Sequence, residues 1–276
     1  MEIINKILEF LNKQMTEPVA FSSFTESWFY YLSLLLVVLF TVFLASKFRK
    51  LDKKGIKKII LFVGILLVVF EIYKQLLFSY TNGWDYRWYA FPYQFCSTAM
   101  FAMMIAGLTK NDKVFDVMLS FLATFSLFAG AAVMFYPADV FVTSIGINIQ
   151  TMVYHGSMVV VGVAIIFSGI VKTSIDTLLK AILPMTVFWM FAILLNGVVN
   201  NLYPTIGTFN MFLINPRYNS SIPILNLIQP IVSPPVFQLA YLLGISFASF
   251  VTFKLFVGIK HIGLVFKRQP SLAKNE

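Results

Sequence analysis

Long apolar runs recur along almost the whole chain, each close to the roughly 20 residues that a helix needs to cross a bilayer. No single soluble core would use so many. Charged residues are only 12% of the 276, hydrophobic ones 59%, and the mean hydropathy is +0.82. A soluble domain carries about twice that charge. The expected class is therefore all-α: a polytopic membrane bundle of seven transmembrane helices, over about Trp28–Ser46, Ile59–Ser79, Phe91–Leu108, Val114–Phe135, Ile147–Val171, Leu179–Val199 and Val236–Ile259. Residues 1–26, 27–259 and 260–276 read as an N-terminal segment, the membrane domain and a basic tail.

Charge sets the expected orientation. With the tail inside, the loops and chain end on that side collect sixteen Lys and Arg against four on the other, led by the run from Lys47 to Lys58. Such a bias marks the cytoplasmic face, so the N-terminus is expected outside and the C-terminus in the cytoplasm of a cell-membrane protein. The net charge of +9 is thereby assigned to topology, and no nucleic-acid partner is expected. The first 26 residues hold Lys6, Lys13 and four glutamates without a compact apolar core, so no cleavable leader is expected. Ile3, Ile4, Ile7, Leu8 and Leu11 make a helical stripe opposite Lys6, Glu9 and Lys13, suited to the membrane surface or to packing on the bundle. Residues 202–235 are apolar with Arg217 as the only charge; an interfacial or re-entrant loop follows, because unpaired backbone is costly in lipid.

Polar residues inside the spans are the candidates for function. Pro92 is expected to open the third helix, with Cys96, the only cysteine, about one turn inside. At about 1.5 Å per residue, Lys74 and Cys96 lie about 8 Å deep from the outer ends of their spans, Glu71 and His155 about 12 Å. Asn196 and Gln238 fall in the same outer layer. Cys96 as nucleophile, His155 as base and Glu71 as the group orienting the imidazole would form a hydrolytic or acyl-transfer constellation. Gln94, Lys74, Asn196, Asn200, Asn210 and Gln238 are candidate substrate contacts, and Arg87 and Arg217 could hold a phosphate headgroup. Each also has a plain reading: a buried hydrophobe for Cys96, a local ion pair for Glu71 and Lys74, interhelical hydrogen bonding for Asn196 and Asn200. Two histidines and one cysteine supply no zinc-type ligand set, and neither a GxSxG elbow nor a phosphate loop occurs. No metal or cofactor is expected.

At FPYQFCSTAMF, VYHGSMVV and GTFNMFLINPR the chain resembles the YwaF-like integral membrane proteins, bacterial relatives of animal transmembrane protein 164. The resemblance implies a seven-helix fold, a cysteine-dependent phospholipid acyltransferase activity as in the animal relative, and a role for Cys96 and His155. Gln94 departs from the pattern, standing where many members carry histidine. The function expected is an intramembrane lipid acyltransferase or lipid ester hydrolase acting on a membrane lipid or other amphiphile. The alternatives are a non-enzymatic pocket protein or transporter for a small amphiphile or ion, and a membrane-assembly factor.

Overall fold

The computed structural model describes residues 2–137 and 140–268. Among them the regular structure is helical, with the principal helices α1 (Glu2–Leu11), α2 (Trp28–Phe48), α3 (Lys53–Thr81), α4 (Thr98–Leu108), α5 (Asp112–Phe135), α6 (Ile145–Ser168), α7 (Ile175–Leu202) and α8 (Pro234–Arg268), and with a one-turn helix, Leu225–Ile228, and short 3-10 turns at Trp88–Ala90, Met211–Leu213 and Gln229–Ile231. Five of these, α2, α5, α6, α7 and α8, are long and apolar enough to cross a membrane. The 29-residue α3 holds Glu71 and Lys74 in its apolar stretch, and α4 has only eleven residues. Residues 269–276 of the expected basic tail lie outside the described residues.

Local chemistry sets the helix ends. The Asp52 carboxylate accepts from the Gly55 N–H at 2.8 Å, and Asn111 Oδ1 from the N–H groups of Lys113 and Val114, so a side chain satisfies one free donor at the start of α3 and two at the start of α5. Gly169, at φ 80°, ends α6 in the left-handed conformation that glycine adopts without strain. The third expected span begins differently from its sequence reading. Residues 91–97 are turns, not helix, and Cys96 sits just before α4. Short-range bonds from Ser97 N to Gln94 O and from Thr98 N to Phe95 O hold this stretch. Gln94 is committed elsewhere, as described below, which fixes the chain in a non-helical path.

α5 and α6 form the buried centre, flanked by α2, α3, α7 and α8. α8 shows how the sequence encodes this. Phe237, Tyr241, Ile245, Ser249, Phe253 and Val257, spaced by four, are buried, while Leu239, Leu243, Phe247, Val251, Leu255 and Ile259 are exposed. One helix thus carries an inward stripe and an equally apolar outward stripe, which only a lipid surround accommodates. Glycines set the central distance. A Cβ on Gly130 of α5 would stand 2.7 Å from the His155 carbonyl oxygen, and one on Gly162 of α6 would stand 2.8 Å from the Leu122 carbonyl. The latter contact meets α5 where its ladder widens to a single π turn, Leu122–Ser126.

The two ends of the bundle differ. At one, cations gather on helix termini and loops: Arg49 Nε donates to Phe167 O at 3.2 Å, Lys260 Nζ to Ile166 O at 2.8 Å, and Lys57 Nζ to Thr109 O at 2.9 Å. Lys53 pairs with Asp112 at 2.9 Å, and Lys180 with Asp116. At the other end residues 12–15 pair with 143–145, through Met15 N to Thr143 O (2.7 Å) and Ile145 N to Lys13 O (2.9 Å). α1 lies there too, with Leu8 buried against Leu77 and Ile147 while Ile3, Ile4, Ile7 and Phe10 stay exposed.

Candidate functional site

The segment joining α7 to α8 is built on amide side chains. Asn196 Nδ2 donates to the Met211 carbonyl at 3.0 Å while its Oδ1 accepts from the Met211 N–H at 2.9 Å. Gln94 grips the neighbouring residues in the same manner: Nε2 donates to Asn210 O (3.0 Å), and Oε1 accepts from Phe212 N (3.0 Å). Asn200 and Asn215 exchange hydrogen bonds at 2.9 and 3.1 Å, and Asn210 Oδ1 accepts from Asn215 N at 2.9 Å. Arg217 Nη2 donates to Asn200 O at 2.6 Å. These contacts satisfy backbone groups of residues 210–215, in a largely irregular segment with only short helical turns that would otherwise leave them unpaired in apolar surroundings. They also hold Phe212 and Leu213 at φ 60° and 58°, conformations costing about 1–3 kcal/mol each for residues with a side chain.

Gln94, Asn196, Asn200, Asn210 and Arg217, candidate substrate contacts by sequence, thus converge on one segment and spend these hydrogen bonds on the protein itself. Gln238 is half-buried near the start of α8. Arg87 is half-buried, with one N–H directed at the Tyr89 hydroxyl at 3.3 Å. A cleft of about 70 Å³ opens beside the segment between Ile214, Pro216, Gln229, Val232, Pro234 and Phe237. It is well below the roughly 300–1,000 Å³ of a small-molecule site.

A second polar group lies at the α3 end of the same layer. Glu71 is buried and accepts from Lys74 Nζ at 2.9 Å and from Gln75 Nε2 at 2.6 Å. Gln75 also donates to Ala90 O (2.6 Å) and accepts from the Tyr86 hydroxyl (2.7 Å). Burial holds the Tyr86 phenol above its usual range, so it stays a donor across physiological pH. Through Gln75 this network ties α3 to the loop that leads into Cys96.

His155 Nδ1 lies 2.8 Å from the Thr151 carbonyl. A carbonyl cannot donate, so Nδ1 carries the proton and Nε2 the lone pair in the neutral ring. The imidazole is oriented by Thr151 rather than by Glu71, and no hydrogen bond joins Cys96 to His155 among the described residues. The half-buried Cys96 packs against the main apolar core.

Two residues that the sequence did not single out complete the layer. Tyr154, on α6, and Tyr241, on α8, are buried, and neither hydroxyl has a hydrogen-bond partner. Tyr154 approaches Ser97 without bonding geometry, and its ring lies 5.7 Å from that of His155. Tyr241 packs on Phe212 (6.4 Å between centroids), and Phe212 on Phe95 (5.8 Å), the neighbour of Cys96. The adjacency of Tyr154 to His155 was the one sequence signal; nothing marks Tyr241 in its apolar run.

Apolar outward stripes, helices of membrane length, and a buried polar layer toward one end define a multi-pass helical membrane protein. The chain belongs to the TMEM164 family, whose model matches residues 20–255. It finds no match among curated proteins or among solved structures.

Proposed function

We propose that this membrane protein transfers or hydrolyses the acyl group of a membrane lipid at the layer around Cys96. Seven crossings are part of the proposal: α3 and α4 with its preceding turns join the five long helices. The N-terminus then lies outside, the basic end in the cytoplasm, and the Cys96 layer in the outer leaflet of the cell membrane. The observation that carries the reading is the buried, unpaired hydroxyl of Tyr241, whose ring packs on Phe212 and through it on Phe95, the neighbour of the only thiol. A buried hydroxyl without a partner costs about 1–3 kcal/mol, and such groups are expected where a ligand completes them.

The chemistry balances without a metal or cofactor. Cys96 gives its proton to His155 Nε2, and the thiolate attacks the ester carbonyl carbon. A C–S bond forms while the carbonyl π pair moves to oxygen. Collapse breaks the C–O bond, and the leaving alkoxide takes the proton from His155. An alcohol or water then attacks the thioester by the reverse sequence. Lys74 and Glu71 are paired at 2.9 Å, so together they add no net charge to the layer.

The second reading, a non-enzymatic site for an amphiphile or ion, is favoured by the absence of a hydrogen bond between Cys96 and His155. Thiol labelling separates the two. An activated Cys96 reacts rapidly with a lipophilic electrophile near neutral pH and slows in His155→Ala, whereas equal rates in the two proteins favour the binding reading.

A further inference from the structure

We infer that α1 is a lipid-binding helix lying in the bilayer surface at the end of the bundle where α6 begins, with Ile3, Ile4, Ile7 and Phe10 among the acyl chains. The inference is independent of the acyl-transfer reading and of which leaflet this end faces.

Contacts fix where α1 sits. Leu8 is buried against Leu77 of α3 and Ile147 of α6. The Tyr73 hydroxyl donates to Leu11 O at 3.1 Å. Beyond the helix, Met15 N donates to Thr143 O (2.7 Å) and Ile145 N to Lys13 O (2.9 Å), which ties the chain to the entry of α6. Leu77 stands about 6 Å from the end of α3 and Ile147 about 3 Å from the start of α6, at about 1.5 Å per residue. α1 therefore meets the bundle at the level of a terminal helical turn.

The circumference of α1 divides into three sectors. At about 100° per residue from Ile3, Leu8 and Asn5 stand at about 140° and about 200°. Leu8 is buried, and Asn5 is half-buried with its side-chain oxygen shielded. Glu9, Glu2 and Lys6 follow at about 240–300°; all three are exposed, and Lys6 pairs with Glu2 at 2.8 Å. Phe10, Ile3, Ile7, Leu11 and Ile4 fill the arc from about 340° round to about 100°, and these large apolar side chains are 39–75% exposed. A helix lying at the rim of a membrane bundle has three surroundings: protein at its side, water above and lipid below. The three sectors of α1 match them one to one.

Lipid is the occupant that the neighbouring surface favours. Leu76 on α3 and Ile149 on α6, close along the chain to the contact residues Leu77 and Ile147, are also apolar and exposed, so the lipid-facing surface of the bundle continues beside α1. With Glu2, Lys6 and Glu9 as its charges, α1 has no excess of cations. Burial among acyl chains, not attraction to anionic headgroups, therefore drives the contact. Lys13 Nζ, 4.6 Å over the Phe10 ring, borders the apolar arc as a lysine at a lipid–water boundary does.

The test is spin labelling of the full-length protein in phosphatidylcholine nanodiscs, on single-cysteine variants made in Cys96→Ser. Ile3→Cys, Ile7→Cys and Phe10→Cys sample the apolar arc, Lys6→Cys and Glu9→Cys the charged one; all five positions are exposed. Collision of each label with oxygen, which concentrates among acyl chains, is compared with collision with a water-soluble nickel chelate. Oxygen should dominate at positions 3, 7 and 10 and the chelate at 6 and 9, with the same pattern after addition of anionic lipid or salt. Dominance of the chelate at all five positions overturns the inference, because α1 then lies in water. Dominance of oxygen at all five overturns the surface position. Little collision with either reagent at 3, 7 and 10 also overturns it, since a second copy or another protein would then cover the arc. An oxygen preference that appears only with anionic lipid contradicts a contact driven by acyl chains.

Discussion

Asn196 and Met211 exchange two hydrogen bonds, side-chain amide against backbone amide, at 3.0 and 2.9 Å, and both residues are buried. This contact, with the matching grip of Gln94, lets a segment with only short helical turns sit among the long helices. Asn196→Leu is nearly equal in size but strands one N–H and one carbonyl, at about 1–3 kcal/mol each. The expected result is a clearly lower melting temperature and faster hydrogen exchange over residues 209–215. Exchange unchanged there would show that the clamp does not hold the segment.

Glu71 and Lys74 predict a non-additive pair. Their side chains are 6% and 20% exposed. Removing one partner leaves the other charge buried, a loss of about 3–5 kcal/mol, whereas replacing both with apolar residues is often neutral. Denaturation of Glu71→Leu, Lys74→Met and the double variant should therefore show the double variant more stable than either single one. Simple additivity would mean that the layer is better hydrated than its burial indicates.

The α5–α6 contact is the third test. Gly130→Ala places a methyl 2.7 Å from both the His155 carbonyl and the Met158 side chain, and overpacking of this kind costs about 1–3 kcal/mol. Lower stability is expected, together with altered labelling of Cys96, since the helix carrying His155 and Tyr154 must shift. Ala tolerated with no change in either measurement would contradict the close approach.

The bundle's character was legible because a lipid-facing helix writes its environment into every residue: the α8 stripes are plain in the sequence. The path of residues 91–97 was not. Pro92 suits a helix start by local rules, but Gln94 is held by residues 116 and 118 positions away, a tertiary contact that overrides them. Asn196, Asn200 and Asn210 were visible as polar residues in apolar runs, while their role as clamps depends on a backbone that no local pattern describes. Tyr154 and Tyr241 stand out only through hydrogen bonds they do not make, which becomes visible only once the neighbours are placed.

The proposed orientation rests on the sixteen-to-four division of Lys and Arg and on the cluster of Arg49, Lys53, Lys57, Lys180 and Lys260 at one end of the bundle. A reporter fused to the C-terminus that is active only in the cytoplasm should be active, and an export-dependent one silent. The reverse pattern would move the Cys96 layer to the inner leaflet.

The most direct measurement is the intact mass of the protein after incubation in vesicles of a diacyl phospholipid, followed by mapping of any adduct. The account predicts an added acyl group on Cys96, held as a hydroxylamine-labile thioester and absent in Cys96→Ser, with lysophospholipid released in at least equal amount. An unmodified thiol, with no lysophospholipid formed by the wild type, would contradict it.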